Sequence, residues 1–214
     1  MIGDKLTIKK EYYVTAQELL HHICQKIDLC GNQKTVILIA GESGSGKSVS
    51  AVCLAEVIQH TCELNTCVFH MDDYFKLPPK DNHEARIHNL QHVGLTEVDF
   101  DKLQQHLNEF KLSEPIIQKP LVFYDDNVIA EETIDVSKIS VLIIEGTYAF
   151  ALQNADYRIF MMPTYIETKQ QRLERARESD DLFIEKVLAV EHQIVTAFRH
   201  KADVFVHNDY SVTT

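Results

Sequence analysis

The sequence lacks the features that direct proteins to membranes or to nucleic acids. No apolar run approaches the length of a membrane-spanning helix, and no apolar signal-peptide segment follows the first residues. Positive charge is scarce, because 21 Lys and Arg face 32 Asp and Glu and leave a formal net charge of −11. A nucleic-acid backbone selects basic protein faces. We therefore expect no membrane partner and no nucleic-acid partner.

Cysteines arranged for cross-linking are lacking as well. The five cysteines are odd in number, and no two have the C-x-x-C spacing that indicates a disulfide framework or a zinc site. The simplest setting for such thiols is a reduced, cytoplasmic one. Internal repeats and low-complexity tracts are absent from the 214 residues, a length that suits one α/β domain.

The sequence does contain a phosphate-binding motif, because residues 41–48 match G-x-x-x-x-G-K-[ST]. The apolar run before it, residues 35–40, predicts a buried parallel strand, and the following residues predict a helix. Glycines let successive N–H groups point at one anion, and the helix N-terminus adds partial positive charge. Lys47 can reach the β- and γ-phosphates, and the Ser48 hydroxyl can ligate Mg²⁺. The residues predicted to hold the nucleotide are Gly41, Glu42, Ser43, Gly44, Ser45, Gly46, Lys47 and Ser48.

The chain alternates strand-like apolar runs with helical periodicity, which predicts a P-loop NTPase three-layer sandwich. A five-stranded parallel sheet would lie between helices, with a small antiparallel excursion over residues 116–136. The predicted strands are residues 35–40, 66–71, 141–146, 157–161 and 203–207. A capping box predicts a first helix with Thr15 as its N-cap and Gly31 beyond its end. Polar residues 77–96 predict a loop or lid.

Carboxylates follow two of the predicted strands at the edge where parallel sheets bind ligands. Asp72 can accept the proton of an attacking hydroxyl, or it can be a carboxylate that caps a turn. Its neighbour Asp73 is interpreted as structural. Glu145 ends an apolar strand, where a carboxylate is costly unless it meets a cation, and a turn cap is its alternative. Ser48, Glu145 and Asp72 are the predicted Mg²⁺ ligands.

Arginines cluster on a charged helix predicted over residues 167–177. Arg172 and Arg175 are three residues apart and share a helix face, and Arg177 follows. Such a face could close over phosphates, with Arg172 on the nucleotide and Arg175 and Arg177 on the transferring group. The alternative is a solvated, salt-bridged helix, because Glu174 and Glu178 lie beside these arginines.

Over residues 35–207 the chain resembles the uridine kinase/phosphoribulokinase family of P-loop small-molecule kinases. The resemblance rests on G-E-S-G-S-G-K-S, M-D-D-Y-F-K, V-L-I-I-E-G-T-Y-A-F and K-A-D-V-F-V. It implies ATP and Mg²⁺, a catalytic base at Asp72, the family's Glu-Gly pair at Glu145, and a lid helix at residues 171–177. It also implies transfer of the γ-phosphoryl group to a hydroxyl, which in uridine kinases is the ribose 5′-hydroxyl.

The acceptor side departs from the family pattern. Residues 92–99 replace the D-H-P segment of uridine kinases, residues 120–127 replace their P-x-Y-D stretch, and the lid lacks the usual R-D and R-G pairs. We expect a phosphotransferase with an alcohol acceptor, the leading candidate being a uridine- or cytidine-like nucleoside. Another riboside, a sugar phosphate or pantothenate is an alternative acceptor.

Other classes of protein remain as alternatives. A P-loop switch that hydrolyses nucleotide without an acceptor is one, although no guanine-reading N-K-x-D motif is present, and a relative without catalysis is another. We expect one P-loop kinase domain over residues 1–214, in which residues 1–34 form a helical extension and residues 77–136 a lid and acceptor-side insertion. A homo-oligomer is compatible with the sequence.

Overall fold

The computed structural model describes residues 7–31, 33–174 and 182–214. Six strands of this part form one sheet, and two further strands form a separate antiparallel hairpin. The strands are β1 (Thr35–Gly41), β2 (Thr66–His70), β3 (Ile116–Phe123), β4 (Val128–Asp135), β5 (Val141–Glu145), β6 (Tyr157–Met161), β7 (Val204–Val206) and β8 (Val212–Thr213). The helices are α1 (Lys10–Lys26), α2 (Lys47–Cys62), α3 (Pro79–His88), α4 (Phe100–Lys111), α5 (Lys169–Glu174) and α6 (Leu182–Phe198).

The sheet has the strand order β2-β5-β1-β6-β7-β8, and its first five strands run parallel. This confirms the predicted five-stranded parallel sheet, and the β3–β4 hairpin confirms the antiparallel excursion. The two-residue strand β8, which pairs antiparallel with β7, was not predicted. Two residues are too few for a periodic signal, so the sequence offered no indication of it.

Strand β1 is buried along its whole length because its two faces supply two different cores. Ile37 and Ile39 pack into the cluster that contains apolar residues of α1 and α2. Val36 and Leu38 pack into the cluster formed with α4, the hairpin and α6. Helices therefore cover both faces of the sheet, which is the three-layer arrangement expected for a parallel sheet.

The first helix begins earlier than its capping box predicted. Helix α1 starts at Lys10 and ends at Lys26, so Thr15 lies inside it and Gly31 lies beyond the turn that follows. The Thr15 hydroxyl donates instead to the Tyr210 carbonyl, 2.8 Å away. The prediction was wrong because the same side chain can cap a helix or bond to a distant carbonyl, and only the fold decides between them.

Residues 77–96 were predicted as a loop or lid, but residues 79–88 form α3. A proline occupies the first position of this helix, where its missing N–H is not needed. The sequence did not predict this helix because it has no apolar stripe at helical spacing. Its buried residue is Asn82, which faces a polar cluster rather than an apolar core.

Among residues 7–31, 33–174 and 182–214, no helix combines the length and the apolar character needed to cross a lipid bilayer.

Candidate active site

The turn between β1 and α2 forms a narrow anion cradle. Gly44 and Gly46 have φ angles of 77° and 90°, which side chains rarely adopt. A Cβ at Gly46 would also lie 2.8 Å from the Tyr12 hydroxyl of α1, and one at Gly44 would lie 2.7 Å from Cγ of Arg172. Glycine is therefore required at these positions by both backbone conformation and space. The turn leads directly into the N-terminus of α2, where the partial positive charge of a helix suits an anion.

Two polar groups of the turn fit an incoming phosphate. The Lys47 ammonium donates to the Glu42 carbonyl at 2.9 Å, a local contact that a phosphate oxygen can replace. The Ser45 hydroxyl is buried and has no hydrogen-bond partner in the described part of the chain. A buried hydroxyl without a partner is costly, so the structure favours a ligand that supplies one.

Glu145 lies at the carboxyl end of β5, between β1 and β2, and is buried. One carboxylate oxygen is 2.7 Å from Nδ1 of His70, and the Ser48 hydroxyl is close enough to help hold the pKa of the same carboxylate down. Burial opposes the charged carboxylate, but the His70 hydrogen bond and charge outweigh it with help from Lys47, so the pKa of Glu145 is lowered. A charged carboxylate beside a hydroxyl is a donor set that suits Mg²⁺.

Asp72 lies in the single turn Met71–Tyr74 that follows β2. Its side chain is exposed, and it lines a cavity with a volume of about 280 Å³. Desolvation by the protein around this cavity and the charge of Glu145 raise the pKa of Asp72 above its usual value. A carboxyl group with a raised pKa that faces a cavity is suited to proton transfer. The predicted groups Lys47, Asp72 and Glu145 are thus within electrostatic reach of one another.

Asp73 points the other way and anchors the hairpin. Its carboxylate accepts from the Lys119 ammonium at 2.9 Å and from the Val122 backbone N–H at 3.0 Å. Lys119 is almost fully buried, and it also donates to Glu132 and to the Pro120 carbonyl, each at 2.8 Å. The turn that carries Asp72 is therefore tied to β3 by a buried ion pair. No sequence signal marked Lys119 for this role.

The predicted lid residue Arg172 lies against the phosphate-binding turn. It is buried, and it donates to the Tyr165 carbonyl at 2.9 Å. The Glu42 carboxylate accepts from the Tyr165 N–H at 2.7 Å and lies 2.6 Å from Nδ1 of His192 on α6. Glu42 therefore connects the turn to the segment before α5 and to α6 through its side chain. The predicted catalytic residues Arg175 and Arg177 lie outside the described residues.

The cavity beyond Asp72 has walls from α3, the hairpin and α6. Apolar and aromatic side chains, among them Phe75, Tyr124, Val187 and Leu188, line it together with a comparable number of polar and charged ones. Apolar faces beside fixed polar groups are typical of a pocket for a small organic molecule. Its volume of about 280 Å³ is near the lower limit of such pockets, which favours a metabolite of one or two rings.

A buried ionic cluster forms the polar part of that wall. Arg86 of α3 makes a bidentate ion pair with Glu97. Its Nη2 also donates to Oε1 of Glu191 on α6, 3.2 Å away. Asn82 and the Gly94 N–H also donate to Glu97. Burial raises the pKa of Glu191 to about 7, although Arg86 acts in the opposite direction. Sequence reasoning missed these residues, because they come from three separate segments that only the fold brings together.

Known proteins are similar to large parts of this chain. The profile of the Phosphoribulokinase / Uridine kinase family matches residues 36–211. The uridine kinase of Bacillus velezensis is 29% identical over 190 residues, which cover 82% of this chain and 87% of that protein. The uridine kinase of Ureaplasma urealyticum is 31% identical over 132 residues, 59% of this chain and 61% of that protein.

A relative of different specificity is equally similar. The bifunctional α-galactosidase/sucrose kinase of Mediterraneibacter gnavus is 29% identical over 194 residues, which cover 84% of this chain. This chain spans only 20% of the length of that relative.

Solved structures share the fold. The phosphoribulokinase of Rhodobacter spheroides superposes with a TM-score of 0.60 at 13% identity, over 83% of this chain and 71% of that one. A protein of Silicibacter sp. TM1040, provisionally described as a fructose transport system kinase, superposes with a TM-score of 0.65 at 19% identity. The superposition covers 90% of this chain and 95% of that protein. Because the family profile matches more than three quarters of the sequence, the chain belongs to the phosphoribulokinase/uridine kinase family.

Proposed function

We propose that this chain transfers the γ-phosphoryl group of ATP to a hydroxyl of an uncharged, polyhydroxylated metabolite, with a nucleoside as the leading candidate. The observation that carries the proposal is the position of Asp72, between the phosphate-binding turn and the cavity of α3, the hairpin and α6. A donor on one side and an alcohol on the other would meet at this carboxyl group.

Each residue of the site has a role in this reaction. The turn and Lys47 bind the phosphates, and Lys47 exchanges its contact with the Glu42 carbonyl for a phosphate oxygen. Ser48 and Glu145 would hold Mg²⁺, which when bound neutralises phosphate charge. Asp72 takes the proton of the attacking hydroxyl, so that the oxygen becomes a better nucleophile. Arg172 covers the turn from the lid side.

The charges around the cavity support an uncharged acceptor. Asp72 and Glu191 both line it, and two carboxylates would repel a phosphorylated metabolite. Of the two arginines on the same wall, Arg86 pairs with Glu97, and Arg172 lies against the phosphate-binding turn, where it would face the phosphates of the donor. A sugar phosphate is therefore a weaker candidate than a nucleoside or a free sugar.

Relatives support both remaining acceptor classes. The uridine kinases of Bacillus velezensis and Ureaplasma urealyticum favour a nucleoside, and the sucrose kinase relative of Mediterraneibacter gnavus favours a sugar. The aromatic and apolar wall, which includes Phe75 and Tyr124, favours the nucleoside because a base presents a flat face for such contacts.

An acceptor panel tests this function. We expect the protein with ATP and Mg²⁺ to yield a phosphorylated product, detected by mass spectrometry, from uridine or cytidine in a panel that includes free sugars, sugar phosphates and pantothenate. Without an acceptor, ATP consumption should be at background. ATP hydrolysis that no acceptor stimulates would indicate a nucleotide switch, and product from a sugar phosphate alone would contradict the uncharged acceptor.

Lys47→Ala is expected to lower turnover by about 10²-fold, because a preorganised positive charge on the transferring phosphate is lost. The fold should persist, since within the described residues the Lys47 ammonium donates a hydrogen bond only to the Glu42 carbonyl of its own turn. Steady-state kinetics with a circular dichroism melt would measure both effects. Lys186→Ala removes the same charge from an exposed position of α6 and should leave turnover unchanged. If Lys47→Ala and Lys186→Ala had the same turnover, Lys47 would have no role in catalysis.

A further inference from the structure

We propose that Glu191 is a specificity-determining residue that binds neighbouring hydroxyl groups of the phosphoryl acceptor. This inference rests on the proposed function and identifies the group that would select the acceptor. Glu191 belongs to α6, more than a hundred residues after Asp72, and both side chains line the same cavity. The acceptor would thus be held between a carboxyl group that takes its proton and a second one that holds its other hydroxyls.

Only half of the Glu191 carboxylate is used inside the protein. Oε1 accepts from Nη2 of Arg86 at 3.2 Å, and no hydrogen bond to Oε2 is formed in the described part of the chain. The residue is only 7% exposed, and that exposure is toward the cavity. Oε2 is not enclosed by protein, so it is open to the cavity, where it can accept a hydrogen bond from a ligand.

Glu191 is not needed to neutralise the charge of Arg86. Glu97 already makes the two-pronged ion pair with Arg86, through Nε and through Nη2 at 2.9 Å. Glu97 itself is fully buried and receives further bonds from Asn82 and Gly94, which fix it in place. Arg86 in turn holds Glu191 from one side. The cluster therefore presents a positioned acceptor oxygen to the cavity.

Hydroxyl groups are the chemistry that this oxygen fits. A carboxylate accepts hydrogen bonds through both oxygens, and an O–H donor to a charged acceptor forms a short and strong bond. Phosphate and carboxylate groups of a ligand would be repelled by the ionised form of Glu191, whose pKa burial raises to about 7. A carboxyl oxygen has two acceptor sites, so Glu191 can accept from two adjacent O–H groups, and a vicinal diol, as in a ribose or a hexose, offers that pair of donors.

The test measures how well variants distinguish a diol from its deoxy analogue. Uridine is compared with 2′-deoxyuridine and 3′-deoxyuridine, or the sugar found in the acceptor panel with its monodeoxy analogues. In the wild-type protein, removal of one hydroxyl should raise KM about 10- to 100-fold. Glu191→Ala should raise KM for the full diol by a similar factor and bring the ratio between the diol and the deoxy compound close to one.

Two further measurements separate binding from folding. Glu191→Gln keeps the shape of the side chain and one acceptor oxygen, so we expect an intermediate loss of about 3- to 10-fold in KM with an unchanged melting temperature. Titration calorimetry with the acceptor alone measures affinity without turnover. The wild type should bind most tightly, Glu191→Gln less tightly and Glu191→Ala most weakly. KM for ATP should not move in either variant.

Glu84→Gln, which makes the same charge change at an exposed position of α3, is the matched control and should leave every constant unchanged. The inference is overturned if product forms but the Glu191 variants still reject the deoxy acceptor as strongly as the wild type does. It also falls if KM for ATP changes as much as KM for the acceptor. Failure of the proposed function has a different result, because no acceptor in the panel would then give a phosphorylated product.

Discussion

Asp72→Asn is expected to lower turnover about 10²- to 10⁴-fold, the range over which a positioned general base contributes. The asparagine is nearly isosteric but cannot take a proton from the attacking hydroxyl. Folding should be unaffected, because the Asp72 side chain faces the cavity and the neighbouring Asp73 makes the structural contacts of this turn. The measurement is kcat at saturating ATP and acceptor.

Two comparisons decide whether Asp72 acts as a base or as a metal ligand. If it acts as a base, Asp72→Asn should keep the wild-type Mg²⁺ dependence and the wild-type affinity for ATP, measured by titration calorimetry. A large rise in the Mg²⁺ concentration needed for activity would assign it to the metal instead. Asp101→Asn, an exposed position in the first turn of α4, is the charge-matched control. Near-normal turnover of Asp72→Asn would end its assignment as the base.

Lys119→Met should destabilise the fold by about 3–5 kcal/mol, because it leaves the buried Asp73 carboxylate without its cation. Lys119 and Asp73 have side chains that are only 3% and 1% exposed, so water cannot replace the lost charge. The free energy of unfolding in urea measures the effect. Activity should fall as well, since the same ion pair joins the hairpin to the turn that carries Asp72.

A second lysine of the same region serves as the control. Lys102 pairs with Glu131 of the hairpin at 3.5 Å, but both side chains are well exposed, at 34% and 60%. Lys102→Met should therefore cost no more than about 1 kcal/mol. Adding Asp73→Asn to Lys119→Met should recover part of the lost stability, because it removes the unpaired charge. If Lys119→Met and Lys102→Met lowered the free energy of unfolding by similar amounts, the buried ion pair would contribute no more than the exposed one.

The donor side of the site could be predicted because its chemistry is local in the sequence. The motif at residues 41–48 contains its own turn and helix start, and Asp72 and Glu145 each follow an apolar strand. Parallel strands end at one edge, so strand order was not needed to place Asp72 and Glu145 near the phosphates. The assignment of Asp73 to a structural role remains a prediction, and its contacts with Lys119 and Val122 agree with it.

The acceptor side could not be predicted because its contacts are polar and distant in sequence. Helix α3 buries Asn82 against Glu97 instead of an apolar stripe, and periodicity detects only apolar stripes. Arg86 and Glu191 are separated by more than a hundred residues, and each alone resembles an ordinary charged residue of a solvated helix. Charged residues of this kind indicate a binding site only once the structure shows that they are buried together.

The first helix has a consequence for the smallest part of this chain that can form the phosphate-binding site. The family match starts at residue 36, after α1, yet the Tyr12 hydroxyl occupies the space above Gly46 and its ring meets Tyr210 at 5.1 Å. Leu19 and Ile23 of the same helix are buried against α2. The smallest folding unit with a complete nucleotide cradle is therefore longer than the family boundary. A chain shortened to its family match would retain every motif and lose one wall of the site.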